Sequence, residues 1–255
     1  MDPLLTAVPA LAVTAGGLLA YGAAHPQSQL FGPTVWRTAT AWQLAITFDD
    51  GPNPAITPRL LDLLARYDAR ATFFVIGRFV RECPGLVQEV AARGHAIGNH
   101  TETHPNLFFR SGEQIRKELM RCQKAIAAAV GTPAEIFRPP FGVRSPFLRD
   151  AARQAGLRSV VMWTLIPGDW RSKSAEWLVR RMQPIVGRAE NARNSEEGAR
   201  GGDVLCLHDG DHRALNGDRS HTLAALEYWL PRWRNLGLEF VTIAPHAKDG
   251  ARSHG

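Results

Sequence analysis

From Trp42 onward, short runs of β-branched and aromatic residues alternate with longer stretches in which apolar positions recur every three or four residues. That rhythm predicts parallel βα units. Gln43 to Phe48 predicts a strand, and Pro58 to Tyr67 a helix with Thr57 as its N-cap and Pro58 at its first position. Further strands are expected at Ala71 to Ile76, His95 to Gly98, Glu135 to Phe137, Arg158 to Trp163, Asp203 to Leu207 and Glu239 to Ile243. The intervening helices are Gly85 to Arg93, stopped by Gly94, and Gly112 to Val130, opened by Ser111 and closed by Gly131. Another follows Ser145-Pro146 and ends at Gly156, and two more cover Ala175 to Ile185 and about Thr222 to Leu236. Seven βα-like units emerge without a detectable sequence repeat. Gly187 to Gly202 is polar and carries three late glycines, which predicts an exposed loop insertion.

The first 36 residues differ in kind, because no Asp, Glu, Lys or Arg occurs between Asp2 and Arg37. Leu4 to Ala24 is 21 largely apolar residues, and a helix of that length at about 1.5 Å per residue spans roughly 31 Å, a hydrocarbon core. Residues 1–36 therefore predict a membrane anchor, with a cleaved secretory signal and a buried helix as the alternatives. A signal would be expected to carry a basic leading region, and only the terminal amine precedes Asp2. Residues 37–255 then form one catalytic domain, a size that α/β barrels reach.

Composition narrows the function classes. A chain of 255 residues with 45% hydrophobic positions is neither a disordered tail nor a disulfide-built miniprotein. Its net charge of +6 comes from scattered arginines, with Arg180-Arg181 the only adjacent Arg pair, so the charge predicts no nucleic-acid stripe. Attraction to an acidic envelope polymer or lipid surface is the remaining reading. Cys83, Cys122 and Cys206 are odd in number and lack CxxC spacing, which predicts buried thiols and neither disulfides nor a zinc ribbon.

Unusual polar residues fall directly after predicted strands, where βα barrels build active sites. Thr47-Phe48-Asp49-Asp50-Gly51-Pro52 places two carboxylates side by side, an arrangement that calls for a cation or Arg partner. His100-Thr101-Glu102-Thr103-His104-Pro105 has two histidines four apart, and Pro105 disfavours helix at His104, so the pair sits in a loop. Histidines with a carboxylate supply the donors of a catalytic divalent site. Phe137-Arg138-Pro139-Pro140-Phe141-Gly142 is a rigid loop able to aim an Arg and a backbone N–H at a ligand. Gly168-Asp169-Trp170 and Val204-Leu205-Cys206-Leu207-His208-Asp209 complete the set, with His208 suited to a general acid tuned by a carboxylate such as Asp169.

In this order TFDDGP, HTETH, RPPFG, DW and LCLHD resemble the five motifs of the polysaccharide deacetylase family, the NodB homology domain or carbohydrate esterase family 4. The resemblance covers about residues 40 to 245 and implies a distorted (β/α)7 barrel and metal-dependent removal of N-acetyl, sometimes O-acetyl, groups from glycans. It further implies that Asp50, His100 and His104 hold a divalent ion, zinc or else cobalt or another, and that Asp49 is the base that deprotonates the attacking water. Arg138 would pair with Asp49, the Phe141 N–H beside Pro140 would meet the oxyanion, and His208 oriented by Asp169 would protonate the leaving amine. Trp170 would wall the sugar groove. Two positions depart from the pattern: Ile166 stands where a second carboxylate is common, and Cys206, where Leu is common, would reshape the pocket for the acetyl methyl.

The reading is a monomeric, envelope-located N-deacetylase of N-acetylglucosamine-containing glycans, chitooligosaccharide or peptidoglycan, tethered through Leu4 to Ala24 or exported. Its rivals are an O-acetyl esterase or non-sugar amide hydrolase on the same site, and a glycan-binding pseudoenzyme. His212, four residues beyond His208, is expected to lie in an ordinary loop, and His95, His221, His246 and His254 are expected in solvated or core roles.

Overall fold

β2 (Gln43–Gly51) is buried at every residue after its first, as befits a strand whose two faces are both covered. It pairs in parallel with β3 (Ala71–Val75) on one side and β7 (Asp203–His208) on the other. β4 (Ala96–Asn99), β5 (Ile136–Phe137) and β6 (Ser159–Val161) continue from β3, all parallel. Beyond β6, Leu165 bridges in parallel to Leu205 of β7, so the sheet curls round almost to closure. β8 (Glu239–Phe240) pairs with the start of β2. The result is the expected distorted (β/α)7 barrel, seen in a computed structural model that describes residues 16–171, 174–193 and 201–245.

An additional strand, β1 (Thr34–Val35), pairs with β6; at two residues it is too short to leave a periodic signal. Strand pairing thus reaches back before residue 37. The helical residues 16–24 (α1) end against the barrel, where Ala23 is buried and its carbonyl accepts the Arg144 N–H at 3.0 Å. No helix among the described residues is long and apolar enough to cross a membrane. Residues 1–15, which include the larger part of the apolar run Leu4 to Ala24, lie outside the described residues, as do His246 and His254.

The outer layer comprises α2 (Thr57–Arg66), α3 (Gly77–Glu82), α4 (Pro84–Ala92), α5 (Gly112–Val130), α6 (Leu148–Gln154), α7 (Ala175–Met182), α8 (Pro184–Arg193) and α9 (Ser220–Asn235). α5 matches its prediction because its ends are chemically marked: Ser111 and Gln114 form a capping box and Gly131 closes the helix at φ 86°. Thr57 is not the N-cap of α2 but its first helical residue; its hydroxyl accepts the Asn53 N–H and donates to the buried Asp209 carboxylate. α3 falls in a six-residue stretch where no helix was expected. The helix expected over Ala175 to Ile185 ends before Pro184, which starts α8 because it has no N–H to continue the ladder. α8 also corrects the loop expected from Gly187, whose first residues are helical; residues 194–200 lie outside the described residues.

Cavities of about 430 and 680 Å³ open at the N-terminal ends of the strands, beside Leu44 and Asp203 and beside Val35 and Phe240. The polar motifs gather at the opposite end.

Candidate active site

Adjacent side chains on a regular strand point to opposite faces, so Asp49 and Asp50 could not share a site on an undistorted β2. The strand solves this with a register shift against β3 between Asp49 and Gly51, and Asp50 takes φ 69°. Both carboxylates then face the C-terminal mouth and both are buried. Thr101, His104 and Phe141 also have positive φ, so four of the five such non-glycine residues among the described residues belong to the site motifs. Each costs on the order of 1–3 kcal/mol, strain retained where geometry serves function.

The loop after β4 carries the histidines. The Asn99 carboxamide accepts the Thr101 N–H at 2.8 Å, and Thr101 Oγ1 accepts the His104 N–H at 3.0 Å, which folds the loop back. The His100 N–H donates to Val75 O at 3.0 Å, and its Nδ1 lies 2.8 Å from Arg138 O, a contact that leaves Nε2 free as a donor atom. Nε2 of His100 and of His104 sit 3.5 and 3.2 Å from Asp50 Oδ1. Glu102 turns away and pairs with Arg81.

Arg138 is fully buried. Its Nη1 donates to Asp49 Oδ1 at 2.8 Å and to Thr47 Oγ1 at 2.6 Å, and Nη2 donates to Met162 O at 3.1 Å. Its guanidinium also lies over the Phe74 ring at 4.3 Å. The Cys206 thiol is 3.5 Å from Asp49 Oδ2, and burial raises its pKa well above the ordinary value, so it is a neutral packing group. It is fully buried beside Asp49.

Asp49 and His208 are paired partners across β2 and β7, which puts carboxylate oxygen and ring nitrogen within 4.8 Å. Asp169 accepts from the His208 N–H and lies 2.8 Å from its Nδ1. Burial alone would lower the His208 pKa; the Asp169 carboxylate, with Asp50 and Asp49 beyond it, overrides burial and raises it from 6.5 to about 9. Thr222 Oγ1 donates to Asp169 Oδ2 at 3.1 Å, and His221 Nε2 lies 2.7 Å from Asp169 O. The start of α9 thus supplies the support that Ile166 cannot. Exposed aromatics flank the mouth: Trp170 meets the His208 ring edge-on at 5.4 Å, and Phe141, after the buried Pro140, meets His104 at 4.6 Å.

The donor set suits a divalent cation. Asp50 Oδ1 is buried and meets no hydrogen-bond donor among the described residues, and two imidazole nitrogens converge on it. Burial would raise the Asp50 pKa, but His100, His212 and His104 hold it well below its ordinary value, so it is a carboxylate. His104 is pushed by burial and by His100 down to about 3, so it is a neutral imidazole. An ionised carboxylate beside a neutral imidazole is the protonation state a metal requires.

A sequence profile described as polysaccharide deacetylase matches residues 37–160. The chitooligosaccharide deacetylase of Azorhizobium caulinodans is 38% identical over 75% of this chain and 88% of its own. The peptidoglycan-N-acetylglucosamine deacetylase of Bacillus cereus is 38% identical over 79% of this chain and 86% of its own. The chain belongs to the polysaccharide deacetylase family. Among solved structures, a peptidoglycan N-acetylglucosamine deacetylase bound to 4-naphthalen-1-yl-N-oxidanyl-benzamide superposes with TM-score 0.68 at 27% identity, covering 82% of this chain and 90% of that one. The protein is thus a deacetylase enzyme with the barrel of its relatives.

Two residues of this deacetylase that sequence reasoning assigned to bland roles stand in the site. His221 reaches Asp169, and His212 lies 3.5 Å from Asp50 through Nδ1 and stacks on the His104 ring at 4.2 Å. The one sequence signal was the four-residue spacing of His208 and His212, which carries no weight in a loop.

Proposed function

We propose that this deacetylase hydrolyses the acetamide of N-acetylglucosamine-containing glycans of the chitooligosaccharide or peptidoglycan type, giving acetate and a free amine, and that it requires a divalent ion. The observation that carries the reading is an Arg-paired carboxylate and a carboxylate-paired histidine set on neighbouring strands beside one Asp/His cluster. Asp50, His100 and His104 would hold the ion, and their nitrogen and oxygen donors favour zinc, with cobalt an effective substitute. When bound, the ion supplies Lewis-acid polarisation of the acetamide oxygen and acidifies water.

The protein's own groups carry the protons. Asp49 accepts the proton of the attacking water, and Arg138 fixes the carboxylate with one oxygen engaged and the other turned to the site. The backbone N–H at Phe141 would meet the oxyanion, on a loop stiffened by two prolines. His208 donates its Nε2 proton to the departing amine nitrogen while Asp169 stabilises the imidazolium through Nδ1. Trp170 and Phe141 offer faces to pyranose rings across the mouth. The relatives act on chitooligosaccharide and peptidoglycan by name, and together with the uncharged stretch before Arg37 they support a site of action in the cell envelope, reached by anchoring or export.

The test is mass spectrometry of acetylated oligosaccharides incubated with the full chain, with chelator and with added zinc or cobalt. The expected result is metal-dependent acetyl loss with one new amine per acetate released. Acetate from O-acetyl esters alone, without any new amine, would overturn the amide reading.

A further inference from the structure

The turn between β7 and α9 brings a third imidazole to the Asp50 carboxylate. We propose that His212 is a further protein ligand of the divalent ion, joining Asp50, His100 and His104; this inference rests on the metal-dependent reading above.

Distances carry the first part. Two nitrogen or oxygen donors, each about 2.1 Å from one ion at a tetrahedral angle, stand about 3.4 Å apart. Nε2 of His104, Nε2 of His100 and Nδ1 of His212 lie 3.2, 3.5 and 3.5 Å from the Asp50 oxygens. These separations are at or beyond the long limit of N–H···O hydrogen bonds, yet they suit donors sharing a cation. Asp50 Oδ1 is itself a buried oxygen without a hydrogen-bond donor among the described residues. The His212 and His104 rings stack at 4.2 Å with only 17° between their planes, so joint ligation requires the half-buried His212 ring to rotate out of the stack, and Phe141 meets both rings edge-on. Asp50, His104 and His212 each present a donor atom within 4.8 Å of the others.

The second part is that the turn is built to hold His212 there. Arg219 donates to Gly210 O at 2.8 Å and lies 3.6 Å from Asp211. Asn53 Nδ2 donates to Gly217 O at 2.8 Å and to Asp209 O at 2.8 Å, while Arg78 donates to His212 O. Strand, turn and helix thus clamp the backbone on both sides of His212 through main-chain contacts that do not use its side chain. A third imidazole biases the site toward nitrogen-seeking ions such as zinc, cobalt or nickel over magnesium or calcium.

The experiment measures zinc binding by dye competition on the metal-stripped full chain, with visible absorption of the cobalt-loaded protein. It compares the native sequence with His212→Ala, His212→Gln and His100→Ala, checking by circular dichroism that each is folded. A ligand role predicts at least a tenfold weaker zinc Kd in both His212 variants and a changed cobalt d–d band. If His212 is instead an imidazolium paired with Asp50, its removal leaves zinc affinity within twofold or tightens it, with the cobalt spectrum unchanged, and the proposal fails. Native binding that His100→Ala abolishes while the His212 variants match the native chain overturns only this inference. A native chain that binds no zinc overturns the metal reading with it.

Discussion

His208 is pulled two ways, since burial favours its neutral form and the Asp169 carboxylate favours the imidazolium, with the carboxylate prevailing at a pKa of about 9. A general acid works only while protonated. The rate should therefore hold below that value and fall as pH rises through about 9. Asp169→Asn removes the chief group that raises the pKa and should move this alkaline limb to lower pH, with kcat down about 10²- to 10⁴-fold; kcat measured across pH for both proteins checks this. At this scale the sequence singled out Asp49, Asp50, His100, His104, Arg138, Asp169 and His208, which the fold brings together, because each sits in a dense local motif after a predicted strand. His212 and His221 carry no such mark. Their partners, Asp50 and Asp169, lie far away along the chain, and only the folded turn and the start of α9 bring them together.

Among the elements, the turn after β7 is the most demanding. A Cβ built on Gly210 would lie 1.9 Å from the Asp50 carbonyl oxygen, backbone against backbone, with β2 buried and unable to retreat. Gly210→Ala is expected to cost about 1–3 kcal/mol and to displace the turn from Asp50. Urea denaturation should show the lower midpoint, and deacetylation should fall with it. Elements marked by their own chemistry were legible: α5 by Ser111 and Gly131, β2 by an apolar run ending in two carboxylates. Elements defined by a neighbour were not. β1 exists because β6 offers it an edge, α3 is a single short helix between two packed elements, and Thr57 was drawn from capping by a carboxylate 152 residues away.

On the scale of the whole molecule, the barrel and the segment before it are mechanically joined. Arg144 is buried, and its guanidinium donates to Ser28 O at 2.6 Å and His25 O at 2.5 Å. A variant beginning at residue 37 removes both acceptors, strips β1 from β6 and uncovers Arg144, so two charge-assisted hydrogen bonds and a strand pairing are lost. It should be less stable than a variant beginning at residue 20 by about 3 kcal/mol or more, read from paired urea denaturation curves.

The sequence by itself determined the parallel α/β class and the placement of Asp49, Asp50, His100, Arg138 and His208 at or just after strand ends. These follow from local periodicity and from polar residues placed at strand ends, which are properties of contiguous chain. Tertiary structure alone decided that Asp49 and Asp50 share one face, because that needs the bulge at Asp50. It also decided that Cys206 packs against Asp49, that the start of α9 holds Asp169, and that a turn brings His212 to Asp50. Each of these is a contact between distant segments. The physical reason is that barrel closure, through β2 and β7, creates these neighbours all at once, and no stretch of sequence encodes a closure that only the assembled sheet performs.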